Sequence, residues 1–330
     1  VPRCFALGGK KERNVAIMEY LSVTETAKKW GVSQVLVRKF CREKRIPRVK
    51  CHNGIWMIPE DAKRPNSLGI RKSDPEIPQL ATRLIRQKKK NNFHGLYDYV
   101  QTDLTYSSSR MASNRLTRQQ VETIFKKGKV SVSFEPMKVS DLVEVLNHCV
   151  CVDYILDHVE EPLSQKFIKH LHYQLTFGTV DERRKKVTPG QYRTKNSYRT
   201  EPFMSPSDRI SDKLKALVAE YEALDEVDRR EILDFHVRFE RIFPFEDYNG
   251  RVGRLIMFKE CLRHDVMPFI LDDKSRTQYL AGIQDWPSDR WTLTEVVQDA
   301  QDRFEAQVEL QKLAASRGAM MPDMYEEDDV

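Results

Sequence analysis

The sequence predicts a mainly α-helical protein in which a small basic module of helices and a hairpin precedes a larger helical body. Three observations carry that reading. From about residue 91 to residue 311, apolar residues recur at three- and four-residue spacing and few runs alternate as strands do. Residues 18–65 instead offer two short cappable helices and an Asn-Gly hairpin signal. Charge divides in the same place: residues 18–65 hold eleven Lys/Arg against five Asp/Glu, and residues 101–330 hold thirty-three against forty, in a chain of net charge +6. A basic front on an acidic body suggests a polyanion-binding module attached to something else.

Length and composition narrow the classes. The 330 residues allow two or three domains at roughly 100–200 each. With 40% apolar and 32% charged residues, the chain is neither fibrous nor disordered as a whole. No apolar run approaches the roughly 18 residues of a membrane span, and no segment is zoned like a signal peptide. Cys4, Cys41, Cys51, Cys149, Cys151 and Cys261 form no CxxC pair, which fits reduced thiols in a bacterial cytoplasm and no membrane partner. Residues 1–17 lack periodicity and Met18 opens a patterned segment, so a non-native or disordered leader is expected there.

In the front module, Ser22 and Glu25 have capping-box spacing, Val23, Ala27 and Trp30 share a face, and Gly31 ends the helix. Ser33 can cap a second helix with Val35, Leu36 and Phe40 inward and Gln34, Arg38, Lys39 and Arg42 outward. Val49 and Cys51, the turn Asn53-Gly54, and Ile55 to Ile58 form a hairpin. Residues 18–65 resemble the winged helix-turn-helix of the excisionase and MerR-like DNA-binding families. That resemblance implies DNA as a partner, with Gln34, Arg38 and Lys39 on the helix that enters a major groove and Arg42, Arg45, Arg48 and Lys50 near phosphates. The alternative is a protein-interaction module whose basic residues are solvated. One such unit makes few contacts, which implies a homodimer formed through the body or modest affinity.

Residues 66–94 mix Pro, Gly and charge and read as a linker, with a helix beginning near Gln79. In the body, residues 95–312, helices are expected over Ser140–Leu156, Ser164–Thr176, Ser211–Ala223, Glu226–Phe239, Gly250–Arg263 and Thr294–Leu313. Residues 313–330 read as a disordered acidic tail. Two segments interrupt the helices: Val187–Arg199, rich in turn formers and β-compatible, and Phe243–Gly250.

The second interruption is the most specific feature. Residues 241–254 read Arg-Ile-Phe-Pro-Phe-Glu-Asp-Tyr-Asn-Gly-Arg-Val-Gly-Arg. A helix that starts at such a turn presents unpaired N–H groups and the positive end of its dipole, which suits a phosphate. Arg251 and Arg254 add charge, and Asp247 could hold a divalent cation bridging phosphates. The segment resembles the Fic motif, His-x-Phe-x-Asp/Glu-Gly-Asn-Gly-Arg-x-x-Arg, at Phe245, Asp247, Asn249, Gly250, Arg251 and Arg254. Asn114 to Thr117 and Leu146 to His148 are similar to the helices that flank that motif, and Gly190 to Arg193 look like the family's flap.

The resemblance implies a helical bundle with a small β-hairpin flap. It implies transfer of AMP from ATP to a Ser, Thr or Tyr hydroxyl of a target protein, with Asp247 on Mg²⁺ and Asn249, Gly250, Arg251 and Arg254 around the phosphates. Thr188, Pro189, Gly190, Gln191, Tyr192 and Arg193 would align an extended target segment by β-augmentation.

Two departures fall in one loop. Phe243 stands where the family has its His, and a phenyl ring accepts no proton, a loss typically worth about 10² to 10⁴-fold. Tyr248 replaces the first Gly, adding bulk where φ > 0 favours glycine. His236, two turns earlier, and His264, on the next helix, lie too far to substitute. A third departure concerns the family's inhibitory helix, Ser/Thr-x-x-x-Glu-Gly/Asn. Its counterpart begins at Ser108 and has Ala112 for the Glu, which is expected to leave Arg254 uncovered. The sequence therefore predicts a transferase by descent that is inactive or strongly impaired, using ATP and Mg²⁺ only if nucleotide binding is retained. The alternative is a DNA-binding regulator whose degenerate body senses a ligand or dimerises.

Overall fold

The computed structural model describes residues 20–32, 37–38, 40–41, 45–52, 55–65, 80–92, 94–130, 138–195 and 205–318. They belong to two compact units that divide between Asp74 and Pro75. The leader, the cap Ser33, the predicted groove residues Gln34 and Lys39, Val35, Leu36, Arg42 and the Asn53-Gly54 turn lie outside the described residues, as do residues 319–330.

In the first unit, α1 (Val23–Trp30) has the expected capping box: Ser22 Oγ accepts from Glu25 N–H, Glu25 accepts from Ser22 N–H at 2.8 Å, and Gly31 closes the helix at φ 62°. Val37, Phe40 and Cys41 are buried. Strands β2 (Lys50–His52) and β3 (Ile55–Pro59) pair antiparallel with Cys51 opposite Trp56, the hairpin that the Asn-Gly signal predicts. A further strand, β1 (Tyr20–Leu21), adds to the other edge of β3, giving the order β1-β3-β2. Three of the predicted phosphate ligands have contacts within the unit. Arg48 pairs with Asp61 at 2.6 Å, the Arg45 guanidinium lies 4.9 Å from the Phe40 ring centre, and Lys50 Nζ lies 5.0 Å from that of Tyr20.

The second unit is helical: α2 (Leu80–Lys89), α3 (Leu96–Met111), α4 (Arg118–Lys127), α5 (Val139–Asp157), α6 (Gln165–Thr176), α7 (Val180–Arg183), α8 (Ile210–Glu222), α9 (Arg229–Ile242), α10 (Asn249–Arg263), α11 (Arg276–Asp285) and α12 (Trp291–Gly318). Each helix expected in the body is present with ends shifted by a few residues. The start of α9 moves three residues along, because Asp228 forms a capping box with Glu231 and fixes it. Helix α2 lies within the predicted linker, yet Ala81 and Leu84 are buried in the main core of the body. Helix α12 runs on to Gly318, into the predicted tail.

Helix α10 is the axis of this unit, buried on every side from Arg251 to Leu262. One flank packs Val252, Leu255, Ile256 and Phe258 into a core shared with α3, α5, α6, α8 and α9. The other packs Met257 and Cys261 against Ile232, Val237, Phe269 and Tyr279. A helix buried all round is ordinarily apolar all round. Helix α10 nevertheless carries Arg251, Arg254, Lys259 and Glu260 inside, so each needs a buried partner.

Candidate functional site

The loop between α9 and α10 holds two non-glycine residues at positive φ. Phe243 caps α9 at φ 50° and Tyr248 precedes α10 at φ 66°, both left-handed, a conformation that costs an L-residue roughly 1–2 kcal/mol. The bend that a glycine would adopt freely is thus kept with tyrosine. Asn249 staples the loop: its Oδ1 accepts from Phe245 N–H and its Nδ2 donates to Phe245 O, both at 2.9 Å. Asp247 Oδ1 accepts from Tyr248 N–H at 2.7 Å.

Arg193 ties the predicted flap to this loop. Its N–H donates to Pro244 O at 2.9 Å, its Nε to Phe243 O at 2.7 Å, and its other nitrogens to Lys195 O and Ser205 O. Gln191 N–H donates back to Thr188 O, and Gly190 turns at φ 68°. The expected β-hairpin flap is not formed over the described part, residues 187–195, which is a turn followed by extended chain without a ladder. Three of the backbone N–H groups expected to recruit a target, those of Gly190, Gln191 and Arg193, are spent internally, because the turn folds on itself and onto α6 and Arg193 is drawn inward. Tyr192 donates to Gln165 at 2.8 Å and lies near Phe245, whereas Thr188 and Gln191 are exposed and Pro189 is half-buried.

His172, on α6, joins flap and loop and was not singled out by the sequence. Its ring stacks on Phe245 at 3.8 Å and 3°, and Nδ1 accepts from Gly190 N–H at 3.0 Å. Burial is the main cause that pushes its pKa down to about 3, so the imidazole is neutral. The only signal was a histidine inside an apolar helical stripe.

The two arginines are both engaged. Arg251 donates to Glu144 on α5 at 2.7 Å, Tyr248 donates its hydroxyl to the other oxygen of Glu144 at 3.1 Å, and the Arg251 guanidinium lies 3.5 Å from the Tyr248 ring centre. Burial raises the Tyr248 phenol, with Glu144 adding to it against Arg251, so the phenol keeps its proton. Glu144 was also missed; the trace it leaves is one acid in the apolar run Leu142 to Val145.

Arg254, expected to be uncovered, is covered. It is 8% exposed, and its Nε donates to Ser108 Oγ at 3.1 Å while Nη2 donates to Ser108 O at 3.0 Å. The cover comes from Ser108 itself, three turns into α3, which reaches α10 because the two helices pack together. Ala112 is exposed at the C-cap of α3 and faces away.

Glu240, on α9, lies beside Arg254. A Cβ placed on Gly250 would stand 3.0 Å from Arg254 Nη1 and 3.6 Å from Glu240 Oε1. Burial pushes Glu240 up to about 7, with Arg254 opposing. Each motif arginine therefore has an acidic side chain of its own chain beside it.

Neither distant histidine reaches the loop. His236 bonds Tyr279 Oη at 2.6 Å, and His264 bonds Glu260 at 3.2 Å. Gly253 explains the placement of His236, since a Cβ there would stand 2.7 Å from the imidazole and 3.1 Å from Glu240. Gly253→Ala is therefore expected to destabilise the body by about 1–3 kcal/mol, read as a lowered Tm. A variant that melts like the wild type would show that α9 and α10 can part at no cost.

Residues 162–261, from the approach to α6 through α10, match the family model described as Fic/DOC family. The chain carries a Fic domain. Three solved structures share the fold. A Fic domain containing signaling protein from Bacteroides thetaiotaomicron aligns at TM-score 0.54 and 21% identity over 75% of this chain and 99% of that chain. Two forms of Fic-1 from C. elegans align at TM-score 0.54 and 18% identity, over 71–72% of this chain and 73% of theirs. Among curated proteins none matches the sequence. The turn from Phe243 to Arg254 lies near the end of the matched region.

Proposed function

We propose that this Fic-domain protein transfers no AMP and that its nucleotide cradle is closed by its own side chains. The observation that carries the reading is the triad of Glu144, Arg251 and Tyr248. One carboxylate takes both the guanidinium and the phenol next to the loop where Phe243 replaces a proton acceptor. An ATP phosphate would have to displace a 2.7 Å ion pair whose side chains are only 8% and 14% exposed. Breaking a buried pair of that kind costs about 3–5 kcal/mol when nothing replaces it. As arranged, the residues do not fit ATP and Mg²⁺: Arg251 is held by Glu144, Arg254 by Ser108, and Asp247 accepts from the backbone of its own turn.

Calorimetric titration with MgATP tests this. No heat is expected up to millimolar nucleotide. Binding at micromolar Kd to the unaltered chain would overturn the closed cradle.

The second reading, a DNA-binding regulator, is favoured by the first unit. Its capped helix and three-stranded sheet form a compact body apart from the Fic domain, with Arg38, Arg48 and Lys50 exposed. The two readings are compatible, since a body without chemistry can still respond to a ligand or pair. Duplex DNA binding is expected to weaken about 100-fold between 50 and 200 mM salt, if roughly four phosphates are contacted. Fluorescence anisotropy measures this, and absence of binding at the low-salt end removes the reading.

A further inference from the structure

Helices α8 and α9 are joined by the six residues from 223 to 228 and fold into a helical hairpin. The two helices do not close on each other on either side of that connection. A cleft of about 290 Å³ opens between them, with Arg290, the residue before α12, on its rim. Its floor is apolar. Leu217 and Tyr221 on α8 and Phe235 on α9 are buried, the Tyr221 and Phe235 ring centres lie 4.9 Å apart, and Leu224, just past the end of α8, is 44% exposed at the mouth. The rim is charged. Arg230, Asp234 and Arg238 recur every four residues and share one stripe of α9, and Glu220 meets that stripe from α8 through Arg238.

The acids of this rim already have donors. Glu220 accepts from Arg238 at 2.5 Å, Asp234 from the Trp286 indole at 2.9 Å, and Glu231 from the backbone N–H of Asp228 at 3.1 Å. Two of the three guanidinium groups lack an acceptor. Arg230 makes no side-chain hydrogen bond or ion pair among the described residues, and Arg290 reaches Asp234 only at 3.6 Å. The hydrogen-bonding capacity left over at the cleft is therefore that of cationic donors above an aromatic floor. We infer that the cleft binds a small carboxylate with an aromatic body, its ring against Tyr221 and Phe235 and its carboxylate at Arg230 and Arg290. A guanidinium presents paired N–H groups whose spacing matches the two oxygens of a carboxylate. An amine of the same shape would have to take an acid away from the donor that holds it. Size points the same way: a cavity of about 150 Å³ holds benzene, so nearly twice that volume holds one ring with a tail of two or three carbons. None of the residues from Phe243 to Arg254 lines the cleft, so this site is separate from the closed cradle and does not depend on it.

Saturation-transfer NMR of the full chain tests this with 3-phenylpropionate, 3-phenylpropanol and 3-phenylpropylamine, which share one body and differ in charge. The acid is expected to bind with a Kd below about 1 mM, and at ten times that Kd to raise Tm by about 3–6 °C. The alcohol and the amine should bind about 5-fold more weakly or worse, since each loses the ion pair. Arg230→Ala should weaken the acid about 5-fold as well. It should leave the Tm of the unliganded chain unchanged, because the Arg230 side chain holds nothing else in the fold. Leu224→Glu, at an exposed position, sets a carboxylate at the mouth and should abolish binding of the acid. Three results would overturn the inference: no saturation transfer to the acid at about 5 mM, equal binding of all three compounds, or an acid that binds Arg230→Ala and Leu224→Glu as it binds the wild type.

Discussion

Incubated with labelled ATP and Mg²⁺, the wild-type chain is expected to label neither itself nor another protein. Phe243→His with Tyr248→Gly is expected to remain inert as well, until Glu144→Ala is added. The order of rescue follows from the cradle. Histidine restores a proton acceptor at the loop, worth about 10² to 10⁴-fold once substrate is bound. Glycine relieves the left-handed strain at Tyr248 and removes the phenol from Glu144. Neither change frees Arg251 from the carboxylate 2.7 Å away. Glu144→Ala does, and it leaves a buried guanidinium without a counter-charge, so the substitution alone should lower stability by about 3 kcal/mol or more. Inorganic triphosphate should return part of that loss, since an anion that binds the fold and not the unfolded chain stabilises by mass action. Melting curves with and without triphosphate read the stability arm, and transfer of label reads the chemical one. Full transfer by the double variant with Glu144 intact would show that the ion pair opens easily and closes nothing.

Acid is expected to unfold the Fic domain steeply. His148, His172 and His236 are buried, and burial is the leading cause that pushes each down to about 3 from the usual 6.5. Arg251 and Arg254 add to the effect at His148, and one of them at each of the other two. The folded chain keeps all three neutral, whereas the unfolded chain protonates them below 6.5. Their contribution is therefore present above 6.5 and lost as pH falls toward 3. Glu240 runs the other way. Raised from 4.5 to about 7, it is protonated in the fold and ionised in the unfolded chain, so its contribution is present below 4.5 and lost as pH rises through 7. Between those limits unfolding takes up a net of about two protons, or about 2.7 kcal/mol of stability per pH unit. Guanidinium unfolding at a series of pH values measures the slope. His236→Gln keeps a partner for Tyr279 and removes one proton, and should flatten the slope by about 1.4 kcal/mol per pH unit. A free energy that does not change between about pH 7 and 5 would show that the three imidazoles are not held neutral by burial.

Much of the fold was legible because it depends on local signals. The Ser22 and Glu25 pair, the Gly31 terminus and the hairpin around Asn53-Gly54 each act within a few residues, and each forms as expected in the described residues beside it. The body helices followed from apolar spacing for the same reason. Errors came where long-range packing outweighs local composition. The helix expected near Gln79 forms as α2, but nothing in its linker-like surroundings showed that Leu84 fills the core. The flap reads as β-compatible, but the Arg193 side chain is drawn to the carbonyls of Phe243 and Ser205, 50 and 12 residues away, and holds its segment out of a ladder. The site was half legible. Phe243, Tyr248 and the two arginines announce themselves through a motif. Their partners Glu144, Ser108, Glu240 and His172 do not, because one acid or histidine on an apolar helix looks the same whether it faces solvent or a buried cation.

The sequence by itself determined which atoms are present: no imidazole at position 243, a phenol at position 248, and two guanidinium groups on the first turns of α10. Tertiary structure alone decided what those atoms face. Arg251 meets Glu144 across 107 residues of chain, and Arg254 meets Ser108 across 146. A charge in the interior must be neutralised or hydrogen-bonded by whatever the packing brings to it. That choice is made by helix-on-helix geometry, and no spacing along the chain encodes it.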